Sequence, residues 1–162
     1  MSDTLPRPIS RWRTDAFLAA GVLINYADRS ALPAVFPALR IDLDLSDVTF
    51  GLLGSLFLWS YAVCGPIAGM LADRYSRRLI VIVSLVGWSA VTALTGAANG
   101  LLMLVLLRIG LGVTESMFLP SACAIMAANH GLETRGRAMG LMQVSQSIGV
   151  VLGGVGVSYA AD

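Results

Sequence analysis

Hydrophobic residues in this chain come in long unbroken runs, not in the alternating pattern of a half-buried strand. Five runs stand out, at approximately 15–39, 48–72, 79–98, 101–128 and 138–160. A bilayer core about 30 Å thick takes roughly 20 apolar residues per helix, and each run has that length. Unpaired backbone groups are too costly in hydrocarbon, and unalternating apolar runs do not fit barrel strands, so all five are read as helices. The expected fold class is an all-α membrane protein with five transmembrane helices. Residues 1–14 are read as a polar tail and 15–162 as one helical unit, because no linker marks a second domain.

Composition agrees with this pattern. Of 162 residues, 56% are hydrophobic and 13% charged, against about 25% charged in an ordinary soluble domain. Eleven arginines, no lysine, ten acids and one histidine give a net charge of +1. That leaves no basic surplus for a row of phosphates, so nucleic acid is not an expected partner. Cys64 and Cys123 lie inside apolar runs and read as small hydrophobes. The first run is too long for a cleaved signal and is followed by four more, so it is expected to stay in the membrane.

The charges also set an orientation. Arg7, Arg11 and Arg13 precede the first run, Arg74, Arg77 and Arg78 fill the second connection, and Arg135 and Arg137 lie in the fourth beside His130 and Glu133. The first connection places Arg40 against Asp42, Asp44 and Asp47, and the third, Asn99-Gly100, is uncharged. Positive charge gathers on the cytoplasmic side, so the amino terminus is expected inside and Asp162 on the opposite face.

Four charges fall deep within the runs. Asp28 and Arg29 are near the middle of the first, Glu115 near the middle of the fourth, and Arg108 seven residues before Glu115. Each costs about 2.5–3.5 kcal/mol at the bilayer centre. Seven residues advance about 700°, so Arg108, Gly112 and Glu115 share one helix face. A purely structural pair of salt bridges is the bland alternative. Buried ion pairs add little net stability, so four charges at one depth favour a functional use. Burial opposes ionisation of a carboxylate and a neighbouring arginine favours it, the balance a reversible proton carrier needs. Arginines at that depth can grip an anion in bidentate fashion.

Asn25, Tyr26, Ser60, Tyr61, Gln143 and Gln146 are further intramembrane polar groups. Tyr61 and Gln146 are the favoured ligand contacts, because their expected depth matches that of the charges. Gly65 with Gly69, and Gly149 with Gly153, are small residues one turn apart that permit close helix approach. Pro33, Pro37, Pro66 and Pro120 are candidate kinks.

The segment GMLADRYSRR at 69–78 resembles the signature of the major facilitator superfamily of secondary transporters, with Ser76 standing where the family pattern usually has glycine. NYADRSALPAVFPAL at 25–39, RIGLGVTES at 108–116 with Pro120, and RGRAMG at 135–140 are similar to helices and a loop of its organic-anion symporter branch. DRYSRR at 73–78 also resembles the spinster-type lipid and sphingolipid transporters. The resemblance runs from about Asp15 to Ala160 and covers five of the family's twelve helices. It implies an incomplete six-helix half of two inverted three-helix repeats whose last helix is missing. The two helices that carry the charges are then corresponding members of the two repeats.

Carried over residue by residue, the resemblance implies that Asp28 and Glu115 exchange the coupling proton. Arg29 and Arg108 would attract a substrate anion, with Tyr61 and Gln146 lining the same cavity. Gly69, Asp73, Arg74, Arg77 and Arg78 would form a cytoplasmic gate latch that docks on the C-terminal half, a partner outside this chain.

The expected function is therefore that of the N-terminal part of a proton-coupled symporter for a small organic anion, a sugar acid or carboxylate, in a bacterial inner membrane. The alternatives are a spinster-like carrier of lysolipids or other amphiphiles, and a truncated membrane protein without transport. The coupling ion is a proton, with sodium as its possible substitute, and no other cofactor or metal is expected. No catalytic residues are assigned and an enzyme is not expected. His130, the single histidine, lies in a loop and is read as an interfacial polar residue.

Overall fold

The apolar runs fold as helices, and the helices extend beyond them. A computed structural model describes residues 8–43 and 46–161, with side chains placed for 11–30 and 46–156. Its elements are α1 (Pro8–Leu43), α2 (Asp47–Arg74), α3 (Arg77–Thr95), α4 (Leu101–Ser116), α5 (Phe118–Asn129) and α6 (Leu132–Ala161). Arg7 and the side chains of Pro33, Pro37, Arg40, Asp42, Asp44 and Ser158 lie outside the described residues.

Two boundaries differ from the sequence expectation. Among the described residues α1 is already helical at Pro8, ahead of the boundary near residue 15, so Arg11, Trp12 and Arg13 belong to α1. The fourth run is two helices, α4 and α5, separated at Met117. Pro120 has no N–H for the Ser116 carbonyl and crowds it, which accounts for the break at this point. Met117 stays in the right-handed helical region at φ −82°, ψ −23°, and Leu101–Asn129 remains one candidate span.

Among the described residues, four spans, α2, α3, α4–α5 and α6, are long and apolar enough to cross a bilayer. The remaining long helix, α1, packs along α6. The most extensive helix pairings are α1 with α6 and α2 with α4. Counting α4–α5 as the fourth span and α6 as the fifth, exchange of the two repeats maps first onto fourth and second onto fifth. The α1–α6 pairing then maps onto the α4–α2 pairing, as an inverted repeat requires.

Glycine sets both crossings. A Cβ on Gly149 would fall on the Leu23 carbonyl oxygen and 3.1 Å from the Tyr26 Cβ, and one on Gly153 would meet the Ala27 carbonyl oxygen. A Cβ on Gly112 of α4 would fall on Ser60 Oγ and 2.6 Å from the Phe57 carbonyl oxygen of α2. The expected role of Gly149 and Gly153 is thus realised. That of Gly65 and Gly69 is not, since a Cβ on either meets nothing within 4 Å, because no described helix covers that face.

Leu18 and Val22 of α1, Trp88 of α3, Phe118 and Met126 of α5 and Met142 of α6 belong to the central packed cluster. Outside it α2 exposes Trp59, Val63 and Met70, whereas Asp15, Asn25, Arg108, Glu115 and His130 are buried. Polar groups inside and large apolar groups outside are the polarity of a chain whose solvent is lipid.

Candidate functional site in the membrane

Leu104, Arg108, Leu111, Gly112 and Glu115 form the buried stripe of α4, the shared face that the seven-residue spacing predicts. The stripe turns toward α1 and α2. Arg29 Nε donates to Glu115 Oε2 at 2.6 Å, joining the first and fourth spans across 86 residues of sequence. The Arg29 guanidinium carbon sits 4.5 Å from the Tyr61 ring centroid, 5.0 Å from that of Tyr26 and 5.1 Å from that of Phe57. Three aromatic faces and one carboxylate therefore seat this cation, each by electrostatic attraction to its positive charge.

Asp28 is the neighbour of Arg29 in sequence but leaves α1 about 100° away around the helix. Its Oδ2 accepts a hydrogen bond of 3.2 Å from Thr92 Oγ1 of α3. Arg108 is 8% exposed, and its Nε has no hydrogen-bond partner. It lies within electrostatic range of both Asp28 and Glu115. Glu115 Oε1 and Asn25 Nδ2 are also buried without a partner. The site is thus one closed ion pair beside a buried, incompletely paired cation.

A cavity of about 450 Å³ opens on this cluster, lined by Arg29, Arg108, Leu111 and the Phe50–Leu58 stretch of α2. Its volume falls in the range of small-molecule sites, and such sites are mostly apolar with a few convergent polar groups. Two guanidinium groups on a wall that is apolar apart from Ser55 offer a place for an anion, which a guanidinium can bind in bidentate fashion.

The structure brings together Asp28, Arg29, Arg108, Glu115 and Tyr61. It does not bring Gln146 to the same depth. Gly149 faces Leu23 and Gly153 faces Ala27, so α1 and α6 run parallel in a register that places Gln146 opposite residue 20. That is eight residues, roughly 12 Å, from Asp28, toward the end that holds the arginine-rich loops. Its depth differs from the expected one because the glycine contacts, not position within each run, set the register of two crossing helices. Asp73, Arg74, Arg77 and Arg78 are exposed at that same end, and Arg77 Nη1 donates to the Ala124 carbonyl of α5 at 3.4 Å. Ser76 has φ −61°, ψ 118°, a region open to any residue, so its departure from glycine costs no strain.

His130 lies at the arginine-rich end but is not open to solvent there. It is buried, with Nε2 2.5 Å from Asp15 Oδ2 and Nδ1 2.9 Å from Thr134 Oγ1. Trp12 meets its ring edge-on at 5.0 Å between centroids, and Arg11 Nη1 donates to the Asn129 carbonyl at 3.5 Å. Sequence reading missed both Asp15 and Thr92. An acid at the start of an apolar run was the only signal for Asp15, and Thr92 offered none.

The family model described as "Major Facilitator Superfamily" matches residues 18–162. This chain belongs to the major facilitator superfamily and is part of an integral multi-pass membrane protein. It is 32% identical over 146 residues to the "Probable L-galactonate transporter" of Escherichia coli (strain K12), covering 89% of this chain and 32% of that protein. It is 33% identical to "Protein spinster" of Drosophila melanogaster, covering 89% of this chain and 24% of that one. A bacterial homologue of the human lysosomal transporter spinster, solved inward-facing and unoccupied, superposes with a TM-score of 0.88 at 28% identity. That match covers 91% of this chain and 31% of the solved one. The chain therefore spans about a third or less of the length of the relatives it matches.

Proposed function

We propose that the chain is the N-terminal part of a proton-coupled symporter for a small organic anion, a sugar acid or carboxylate. The observation that carries this reading is the Arg29–Glu115 ion pair at 2.6 Å, placed beside a cavity that Arg108 also lines. A proton arriving on Glu115 breaks the pair and leaves Arg29 uncompensated in a low-dielectric site. An anion then restores the balance by pairing with Arg29 and Arg108. Either arrival alone leaves a net buried charge, which is costly, whereas both together leave the local charge unchanged. Each ligand therefore raises the affinity for the other, and the coupling is reciprocal.

Relatives at the level of a quarter to two-fifths identity support the anion. They include the "Hexuronate transporter" of Bacillus subtilis (strain 168), 37% identical over 99 residues, and the "Probable galactarate/D-glucarate transporter GudP" of the same organism, 29% identical over 148. In this reading the arginine-rich end faces the cytoplasm of a bacterial inner membrane. Asp28 serves as a second proton site, Tyr61 fixes Arg29, and Gln146 lines the path toward the cytoplasmic end. Gly69, Asp73, Arg74, Arg77 and Arg78 face the half of the transporter that this chain does not contain.

The test is uptake of labelled D-glucuronate by the full-length protein in liposomes, with and without an inward proton gradient. Wild type should accumulate the anion only with the gradient. Glu115→Gln should lose accumulation by at least about tenfold, a coupling of about 1.4 kcal/mol, while exchange of labelled for unlabelled anion continues. Accumulation that ignores the gradient, or survives Glu115→Gln, sinks the proton assignment. A second reading, a spinster-like amphiphile carrier, is favoured by the TM-score of 0.88 and by Phe50, Leu53, Phe57 and Leu58 on the cavity wall. Competition of D-glucuronate uptake by a lysophospholipid at submicellar concentration would support it.

A further inference from the structure

Serine and threonine inside membrane helices can bond back to a carbonyl of their own helix, and several in this chain do. Ser30, Ser55, Ser60, Thr95, Thr114 and Ser147 each donate to a carbonyl four residues earlier. Ser84 and Thr92 of α3 instead reach across to another helix. Ser84 Oγ donates to the Thr114 carbonyl at 2.6 Å, the peptide group that precedes Glu115. Thr92 Oγ1 donates to Asp28 Oδ2 at 3.2 Å. Both contacts end on the ionic cluster, although α3 contributes no charged residue between Leu79 and Thr95.

We propose that Thr92 is a positioning residue for the anion site, holding the Asp28 carboxylate on α3 and thereby keeping Arg108 free of an internal carboxylate partner. This deepens the reading under Proposed function and rests on it. Asp28 and Arg108 are within electrostatic range of one another, yet Arg108 Nε is buried, unpartnered and part of a cavity-lining side chain. A carboxylate released from Thr92 can rotate toward that guanidinium and offer it what a substrate anion would offer. Asp28 would then compete with the substrate from within the protein. Ser84 fixes the turn that carries Glu115 from the same helix, so α3 keeps the two carboxylates apart.

The experiment is D-glucuronate and L-galactonate exchange by the full-length protein in liposomes at equal pH on both sides, comparing wild type, Thr92→Val and Thr92→Ser. Valine keeps the branched shape and removes the hydroxyl, and serine restores it. The expected result for Thr92→Val is a KM raised about tenfold, the equivalent of one charge-assisted hydrogen bond, with a maximal rate within about twofold of wild type. Thr92→Ser should return KM close to the wild-type value. An unchanged KM in Thr92→Val, or a loss of rate and folded protein that Thr92→Ser does not reverse, overturns the positioning role and leaves the proposed function standing. A wild type that exchanges neither anion overturns that function, and this inference with it.

Discussion

Among the described residues two buried carboxylates are each paired with a basic side chain, and the two sites differ in what surrounds them. At the arginine-rich end, Asp15 and His130 are paired at 2.5 Å with side-chain exposures of 0% and 1%, closed in by Trp12 and Thr134. At mid-depth, Arg29 and Glu115 are paired at 2.6 Å, but the arginine side chain is 20% exposed and lines a cavity with Arg108. Both sites join α1 to the later part of the chain. The first has no open side through which a competing ligand could enter, and so acts as a rivet between α1 and the α5–α6 turn. The second can exchange its internal partner for an external one. Space beside the charge, not the charge itself, separates a structural pair from a working one.

The largest stability effect should come from the closed site. His130→Ala leaves the Asp15 carboxylate buried without its partner, which costs about 3–5 kcal/mol. Denaturant unfolding of the full-length protein in detergent would measure it, and exchange by the surviving folded fraction should keep the wild-type KM. The double variant Asp15→Leu/His130→Leu should recover most of the loss, because apolar groups of similar volume replace a buried pair at little net cost. A substantial KM change in His130→Ala would break the distinction between the two sites.

A smaller effect is expected where backbone meets backbone. Gly149→Leu forces α6 away from the Leu23 carbonyl and should cost about 1–3 kcal/mol by overpacking. Gly140→Ala on the same helix meets nothing within 4 Å and should cost nothing, gaining up to about 1 kcal/mol from helix propensity. Equal losses would mean that the α1–α6 crossing is looser than its contacts indicate. A loss confined to Gly149→Leu would sharpen the comparison, since this crossing carries both ionic sites on α1.

What was legible in the sequence follows from the solvent. Helix spans could be located because lipid demands length and apolarity, and Asp28, Arg29, Arg108 and Glu115 stood out because charge inside such a run is costly. Their common face on α4 followed from helical periodicity. What stayed hidden depends on how helices meet. The Asp15–His130 pair joins residues 115 apart in sequence, and the depth of Gln146 depends on which glycine of α6 touches which carbonyl of α1. A threonine that reaches across, such as Thr92, looks in sequence like Thr95, which bonds to its own helix. The break after Ser116 was signalled by Pro120, but a proline can also lie within an unbroken helix, as Pro66 does in α2.

The smallest expected effect concerns the aromatic seat of Arg29. Phe57 lies 5.1 Å from the guanidinium carbon and also lines the cavity, so it belongs to the open site and not to the closed one. Phe57→Leu keeps an apolar group on the wall and removes one ring face from the cation. A cation–π contact of this kind contributes about 0.5–1 kcal/mol, so the KM for D-glucuronate should change by about two- to fivefold. The direction separates two roles for the ring. If Phe57 holds Arg29 in place for the anion, KM rises. If the rings instead hold Arg29 toward Glu115 and away from the substrate, loosening them lowers KM. No change in either direction would mean that Glu115 and the two tyrosines seat the arginine without Phe57, and that the phenyl ring serves only as an apolar wall.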